Sequence, residues 1–394
     1  MALDPLPSAA YIDDDHRLQG LVPLLAREPL LAIDTESNSL HAYRERVCLI
    51  QISTRAADYI VDPLTIGDLS PLAPVLADPR IEKVFHAAEY DLMCLKRDFN
   101  FTIRNLFDTM VTARVCGFRA VGLGALLKEF IGIHVDKSHQ RDDWGQRPLP
   151  TSSLRYAQMD THYLPTVRDH LAARLAEMGR EPEAYETFDE MCNVRMTNNY
   201  HNPEGYWRLA LSNNLTSRQT ALLRELYLWR DQLAEHRDVP PFKILSDKTL
   251  IALARHAPET SNDLNQIHGM SDGNIRRFGR DVLRLISQGG EAPLPEPPPP
   301  EPAADPRIVE LYTALREWRR DRANERGVES DVIVSRDALW SMAEKMPLTH
   351  EELREMSVLG PWRLETYGDE VLAIIQQHIP KKRRQSQKTR GEDT

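Results

Sequence analysis

The spacing of apolar positions changes period along this chain. Short apolar runs at residues 30–33, 47–53, 59–61 and 81–85 mark buried strands, the second and third flanking a polar turn as a hairpin would. From Ala87 the spacing becomes helical, through Leu92, Leu95 and Phe99, then over 123–131 and 157–175. The pattern predicts a strand-first α/β domain over residues 1–205, a mixed sheet with surrounding helices.

The second half repeats itself. A shift of 89 positions lays Leu222 on Leu311, Leu226 on Leu315, Trp229-Arg230 on Trp318-Arg319, Leu250 on Leu339, Leu264 on Leu353 and Gly279 on Gly368. Leu222, Leu226, Trp229 and Leu233 stand at helical spacing, so two small all-α helical-bundle domains are expected, at 206–290 and 307–380. The matched tryptophans read as core packing. Residues 291–306 between the copies are rich in proline and read as a stiff polyproline II spacer, and 381–394 form a basic tail expected to be disordered.

Composition adds boundaries to this picture. A chain of 394 residues, 41% hydrophobic and 27% charged, is long enough for two or three domains with cores of their own. No basic-then-apolar leader opens it and no apolar run approaches the roughly 18 residues that span a bilayer, so no membrane partner is expected. Cys48, Cys94, Cys116 and Cys192 are scattered without a C-x-x-C pair, which argues against a zinc site and fits a cytoplasmic protein. The net charge of −10 is unevenly shared: residues 1–205 hold 30 acids and 21 bases, leaving 29 and 28 for the rest. A gathering of carboxylates in the first domain is one source of that excess; an acidic surface is the other.

Asp34 and Glu36 follow the apolar run 30–33, and side chains two apart on a strand share one face. Alone the pair reads as a solvated strand end. Asp91 falls with Ala88 and Leu95 at i, i+3 and i+7, on or beside a core-facing stripe, while Lys96 and Arg97 fall away from it. Tyr156 and Asp160 lie one helical turn apart, and Asp160 shares a stripe with Ala157, Leu164 and Val167. A buried carboxylate needs a cation or a hydrogen-bond donor. Four such acids without matching bases suit hard divalent ions, and paired ions suit in-line attack on a phosphodiester.

Asp34-x-Glu36 in a strand, Asp91 in His86-Ala-Ala-Glu-Tyr-Asp91, and Tyr156-x-x-x-Asp160 resemble the three exonuclease motifs of the DEDD superfamily in its tyrosine-bearing branch. Asp108-Thr109, Asp136-Lys-Ser138, Asp143-Trp144, Arg147-Pro148-Leu149 and Tyr163-Leu164 resemble the ribonuclease D family in particular, and the two repeats are similar to its helicase-and-ribonuclease-D C-terminal (HRDC) domains. The resemblance implies a ribonuclease-H-like fold and metal-dependent 3′-5′ exoribonuclease activity releasing nucleoside 5′-monophosphates, in tRNA 3′ maturation, on precursor tRNA ends. It further implies two Mg²⁺ or Mn²⁺ ions held by Asp34, Glu36, Asp91 and Asp160, with Tyr156 orienting the attacking water. A DNA 3′-5′ exonuclease and a catalytically silent RNA-binding protein are the alternatives. His86 and Glu89 stay outside the expected site, and Gly117, Gly122 and Gly124, lacking the lysine of a phosphate loop, read as turn residues. The basic tail adds nonspecific affinity for RNA phosphates in this reading.

Overall fold

The computed structural model describes residues 6–136, 138–193, 202–299 and 305–378. In chain order the first domain comprises β1 (Ala10–Ile12), α1 (Asp15–Leu25), β2 (Leu30–Ser37), β3 (Val47–Ser53), β4 (Asp58–Val61), α2 (Ala73–Ala77), β5 (Glu82–Phe85), α3 (Glu89–Phe99), β6 (Leu106–Asp108), α4 (Thr109–Val115), α5 (Leu123–Ile131), α6 (Thr151–His162), α7 (Leu164–Glu177) and α8 (Glu181–Cys192). The six strands lie in the order β1-β4-β3-β2-β5-β6. β2 pairs antiparallel with β3 and parallel with β5, and β3 pairs antiparallel with β4, so the sheet is mixed and the expected hairpin is present. β3 is buried along its whole length, as a strand covered on both faces must be. β2 is buried over its first four residues and opens over its last four, so the apolar half anchors the strand and the acidic half reaches the sheet's edge of solvent access.

One helix expected over 157–175 is two. α6 stops at His162 and α7 begins at Leu164, with Pro165 in its first turn. Proline has no N–H to continue the preceding helix, yet fits a helix start, so the break falls at Tyr163. α6 is tied to the sheet by buried polar bonds: Ser53 Oγ to Thr161 Oγ at 2.7 Å, and Asp58 Oδ2 accepting from Gln158 Nε2 at 2.6 Å and held to His162 Nδ1 at 2.8 Å.

The repeat is visible helix by helix. After α9 (Tyr206–Ser212), which has no counterpart among the described residues, the first unit contains α10 (Ser217–His236), α11 (Pro241–Ile244), α12 (Asp247–His256), α13 (Ser261–Leu264) and α14 (Asp272–Glu291). The second contains α15 (Pro306–Arg326), α16 (Ser330–Ile333), α17 (Arg336–Lys345), α18 (His350–Glu355) and α19 (Pro361–His378), each starting 89 residues after its partner. The capping chemistry repeats too: Ser246 and Ser335, then Thr260 and Thr349, accept from backbone N–H groups at equivalent helix starts. Arg230 and Arg319 both reach back to a backbone carbonyl, of Leu245 and Val334. Trp318 is buried in its core, and the half-buried Trp229 packs edge-on against Phe278. The residues expected as a basic tail, 381–394, lie outside those described.

The two units meet the first domain differently. The loop leaving β2 lands on α10, where Tyr43 Oη donates to Asp231 at 2.8 Å and Arg44 pairs with Glu235 at 2.9 Å. A cleft of about 1020 Å³ lies along this seam. The second unit instead packs on α8, where Glu183 pairs with Arg326 at 2.5 Å and Glu186 with Arg363 at 2.7 Å. Gly117, at φ +79°, sits so close to this unit that a Cβ there would come within 2.7 Å of the Gly327 carbonyl oxygen, so that glycine serves a contact as well as a turn.

Candidate active site

Asp34 and Glu36 project from the open half of β2 toward α6, which brings Asp160 to meet them. One carboxylate oxygen from each lies within 4.8 Å of the others. Asp91, in the first turn of α3, is only 7% exposed, and its carboxylate accepts a hydrogen bond from the Thr35 hydroxyl. Tyr156, one turn before Asp160, lines the same cleft. Four of the five residues singled out by spacing thus line one cleft from β2 and α6, and Asp91 on α3 is joined to β2 through the Thr35 hydroxyl. The cleft, about 340 Å³, is also lined by His86, by Gly122 and Gly124 at the start of α5, and by Val135 and Gln140 from the loop before α6.

The electrostatics of this cluster are one-sided. Burial and then repulsion from Asp160 push Asp34 well above the usual carboxylate range, and burial and then Asp34 do the same to Asp91. Burial raises Glu36 to about 10, helped by Asp34, Asp160, Asp91 and Asp142. Burial lifts Asp160 to about 7 despite a hydrogen bond from Tyr156. Burial and the neighbouring acids raise the Tyr156 phenol, so it stays protonated. Among the described residues none of the four acids forms an ion pair with Lys, Arg or His. The donor set is hard, anionic, convergent and open to the cleft, which fits divalent cations.

Two contributors and one buried neighbour were not marked by spacing. Thr35 sits between the two acids of its own strand and bonds to a helix 56 residues on. Gln51 pairs in register with Asp34 and is fully buried, with no hydrogen-bond partner for its amide. Gln140 belongs to a loop without periodicity. An uncharged side chain on a buried strand, or in a loop, carries no pattern that sets it apart.

A mixed-sheet domain with four converging carboxylates and a tyrosine, followed by paired helical units, defines a nuclease of the 3′-5′ exonuclease class with HRDC domains. A family model described as 3′-5′ exonuclease matches residues 9–176, and one described as HRDC domain matches residues 219–286 and 309–375. The chain is 30% identical to ribonuclease D of Pseudomonas paraeruginosa, over 94% of this chain and 98% of the relative, and 31% identical to ribonuclease D of Gluconacetobacter diazotrophicus, over 93% of each. The crystal structure of Escherichia coli RNase D superposes with a TM-score of 0.66 at 27% identity, covering 95% of this chain and all of that one. The chain belongs to the ribonuclease D family and is a hydrolytic 3′-5′ exoribonuclease. No helix among the described residues is long and apolar enough to cross a membrane.

Proposed function

We propose that Asp34, Glu36, Asp91 and Asp160 hold two divalent ions, Mg²⁺ or Mn²⁺, and that the cleft removes nucleoside 5′-monophosphates one at a time from RNA 3′ ends, those of precursor tRNA among them. The convergence of three carboxylate oxygens within 4.8 Å, without a cationic partner among the described residues, carries this reading. Asp34, Glu36 and Asp160 would form one site; Asp34 and Asp91, partly through water, the other. Such ions lower the pKa of a bound water and offset the charge that gathers on a leaving oxygen. Tyr156, protonated and bonded to Asp160, orients the attacking water through its phenol oxygen and does not abstract its proton. The Thr35 hydroxyl fixes the Asp91 carboxylate. RNA rather than DNA is supported by the ribonuclease relatives, and structured RNA by the E. coli enzyme, described as an exoribonuclease involved in structured RNA processing.

The test is degradation of 5′-labelled RNA and DNA of one sequence, and of a tRNA with a 3′ extension, in Mg²⁺, Mn²⁺ or EDTA. Stepwise metal-dependent shortening of the RNA and the tRNA extension is expected. Cleavage in EDTA, or equal cleavage of DNA, would overturn the assignment.

A further inference from the structure

His86 follows β5 and lines the cleft beside Asp34, Glu36, Tyr156 and Asp160. Continuing the parallel register of β2 and β5 past Ala32 and Val84 sets it level with Asp34. Its ring is held from behind, where Nδ1 lies 2.9 Å from Thr109 Oγ. Thr109 is fully buried, and its hydroxyl donates its single proton to the Phe85 carbonyl oxygen at 3.0 Å. Toward the imidazole that hydroxyl can only accept, so Nδ1 carries the ring proton. Burial lowers the ring's pKa to about 4, which keeps it neutral. A neutral ring protonated at Nδ1 leaves Nε2 as a lone-pair acceptor, and the half-buried residue meets solvent on the cleft side.

An acceptor cannot pair with phosphate oxygens or base carbonyls. RNA offers it exocyclic amines and ring N–H groups, which change from base to base, and ribose hydroxyls, which do not. An exonuclease that advances through all four nucleotides needs the constant partner, and the 2′-hydroxyl is the one that DNA lacks. We infer that His86 Nε2 accepts a hydrogen bond from a ribose 2′-hydroxyl of the RNA in the cleft, which makes His86 a specificity-determining residue for RNA over DNA. The inference rests on this cleft being the RNA-cleaving site.

The experiment compares an oligoribonucleotide with two copies carrying a single 2′-deoxy sugar at the terminal or the penultimate position, by single-turnover kcat/KM in Mg²⁺. Wild type is expected to prefer the all-ribose substrate about tenfold over one of the two. In His86→Ala that preference shrinks to about twofold, the loss falling on the all-ribose substrate. Thr109→Val, which keeps the ring but frees Nδ1, also weakens the preference. The ¹⁵N shifts of His86 in the unmodified protein should show protonation at Nδ1. Equal slowing of all three substrates by His86→Ala, no wild-type preference at either position, or a proton on Nε2 would each overturn the inference. Failure of the site itself looks different: wild type would then degrade none of the three.

Discussion

Two sets of carboxylates held away from bulk water occupy the first domain, and they are built to opposite ends. Glu183 and Glu186 on α8 each face an arginine of the second helical unit, and Glu186 also accepts from the Trp362 backbone N–H at 2.5 Å. Asp34, Glu36, Asp91 and Asp160 face chiefly one another. Removing a charge from water costs several kcal/mol unless a partner offsets it. On α8 the partner comes from the same chain, so burial fastens two domains. In the cleft it must come from outside, so burial makes a binding site. Burial alone does not separate a docking acid from a catalytic one; the source of the countercharge does.

That contrast can be broken from either side, and the largest effect belongs to the cleft. Asp34→Asn or Asp160→Asn should lower the rate of RNA cleavage in saturating Mg²⁺ by at least about 10³-fold, because several kcal/mol of charge stabilisation go with the ligand. The metal-free melting temperature should hold or rise, since a repelling charge is gone. A calorimetric scan beside the rate assay checks both.

On α8 the order reverses. Glu186→Leu strands Arg363, and loss of one partner of a buried pair costs about 3–5 kcal/mol. Hydrogen exchange should show residues 305–378 losing protection while a short single-stranded RNA is still degraded at near the original rate. Adding Arg363→Met should restore much of the loss. Full protection in the single variant would mean that the pair does not hold the unit.

Tyr156→Phe is expected to be intermediate, with the rate lowered about 10²-fold and metal affinity unchanged, measured by Mg²⁺ titration of both activity and melting.

The smallest effect is in pH. Ordinary carboxylates ionise near 4, whereas the folded metal-free protein holds Asp160 near 7 and Glu36 near 10. Over that interval the folded state binds protons that the unfolded chain has released, so stability falls as pH rises. In EDTA the melting temperature should drop by about 3–5 °C between pH 5.5 and 8, and saturating Mg²⁺ should flatten the slope. An equal slope with and without the ion would show that these acids are not its ligands.

Much of this was legible in the residues. The offset of 89 already aligned Trp229-Arg230 with Trp318-Arg319, and all five helix starts obey it, because a repeated core repeats its caps. Asp91 and Asp160 stood out because each breaks a local rule, a charge on an apolar stripe, whereas Asp34 and Glu36 alone read as a solvated strand end. β1 and β6 were not legible, since three residues are too few to display a period. Nor was the docking of Arg363, which in sequence is one arginine among many and acquires meaning only opposite Glu186. Thr35 and Gln51 were silent for the same reason, their roles being set by register and not by pattern.

Glu186 and Arg363 are 177 residues apart in the chain. During synthesis at about 5–20 residues per second, roughly 10–35 s pass between the appearance of one and the other. For that interval α8 presents its acids to water, and the surface that the last unit will cover stays hydrated. The catalytic domain is therefore made first and waits, and the ribosome sets the delay before its final countercharge arrives.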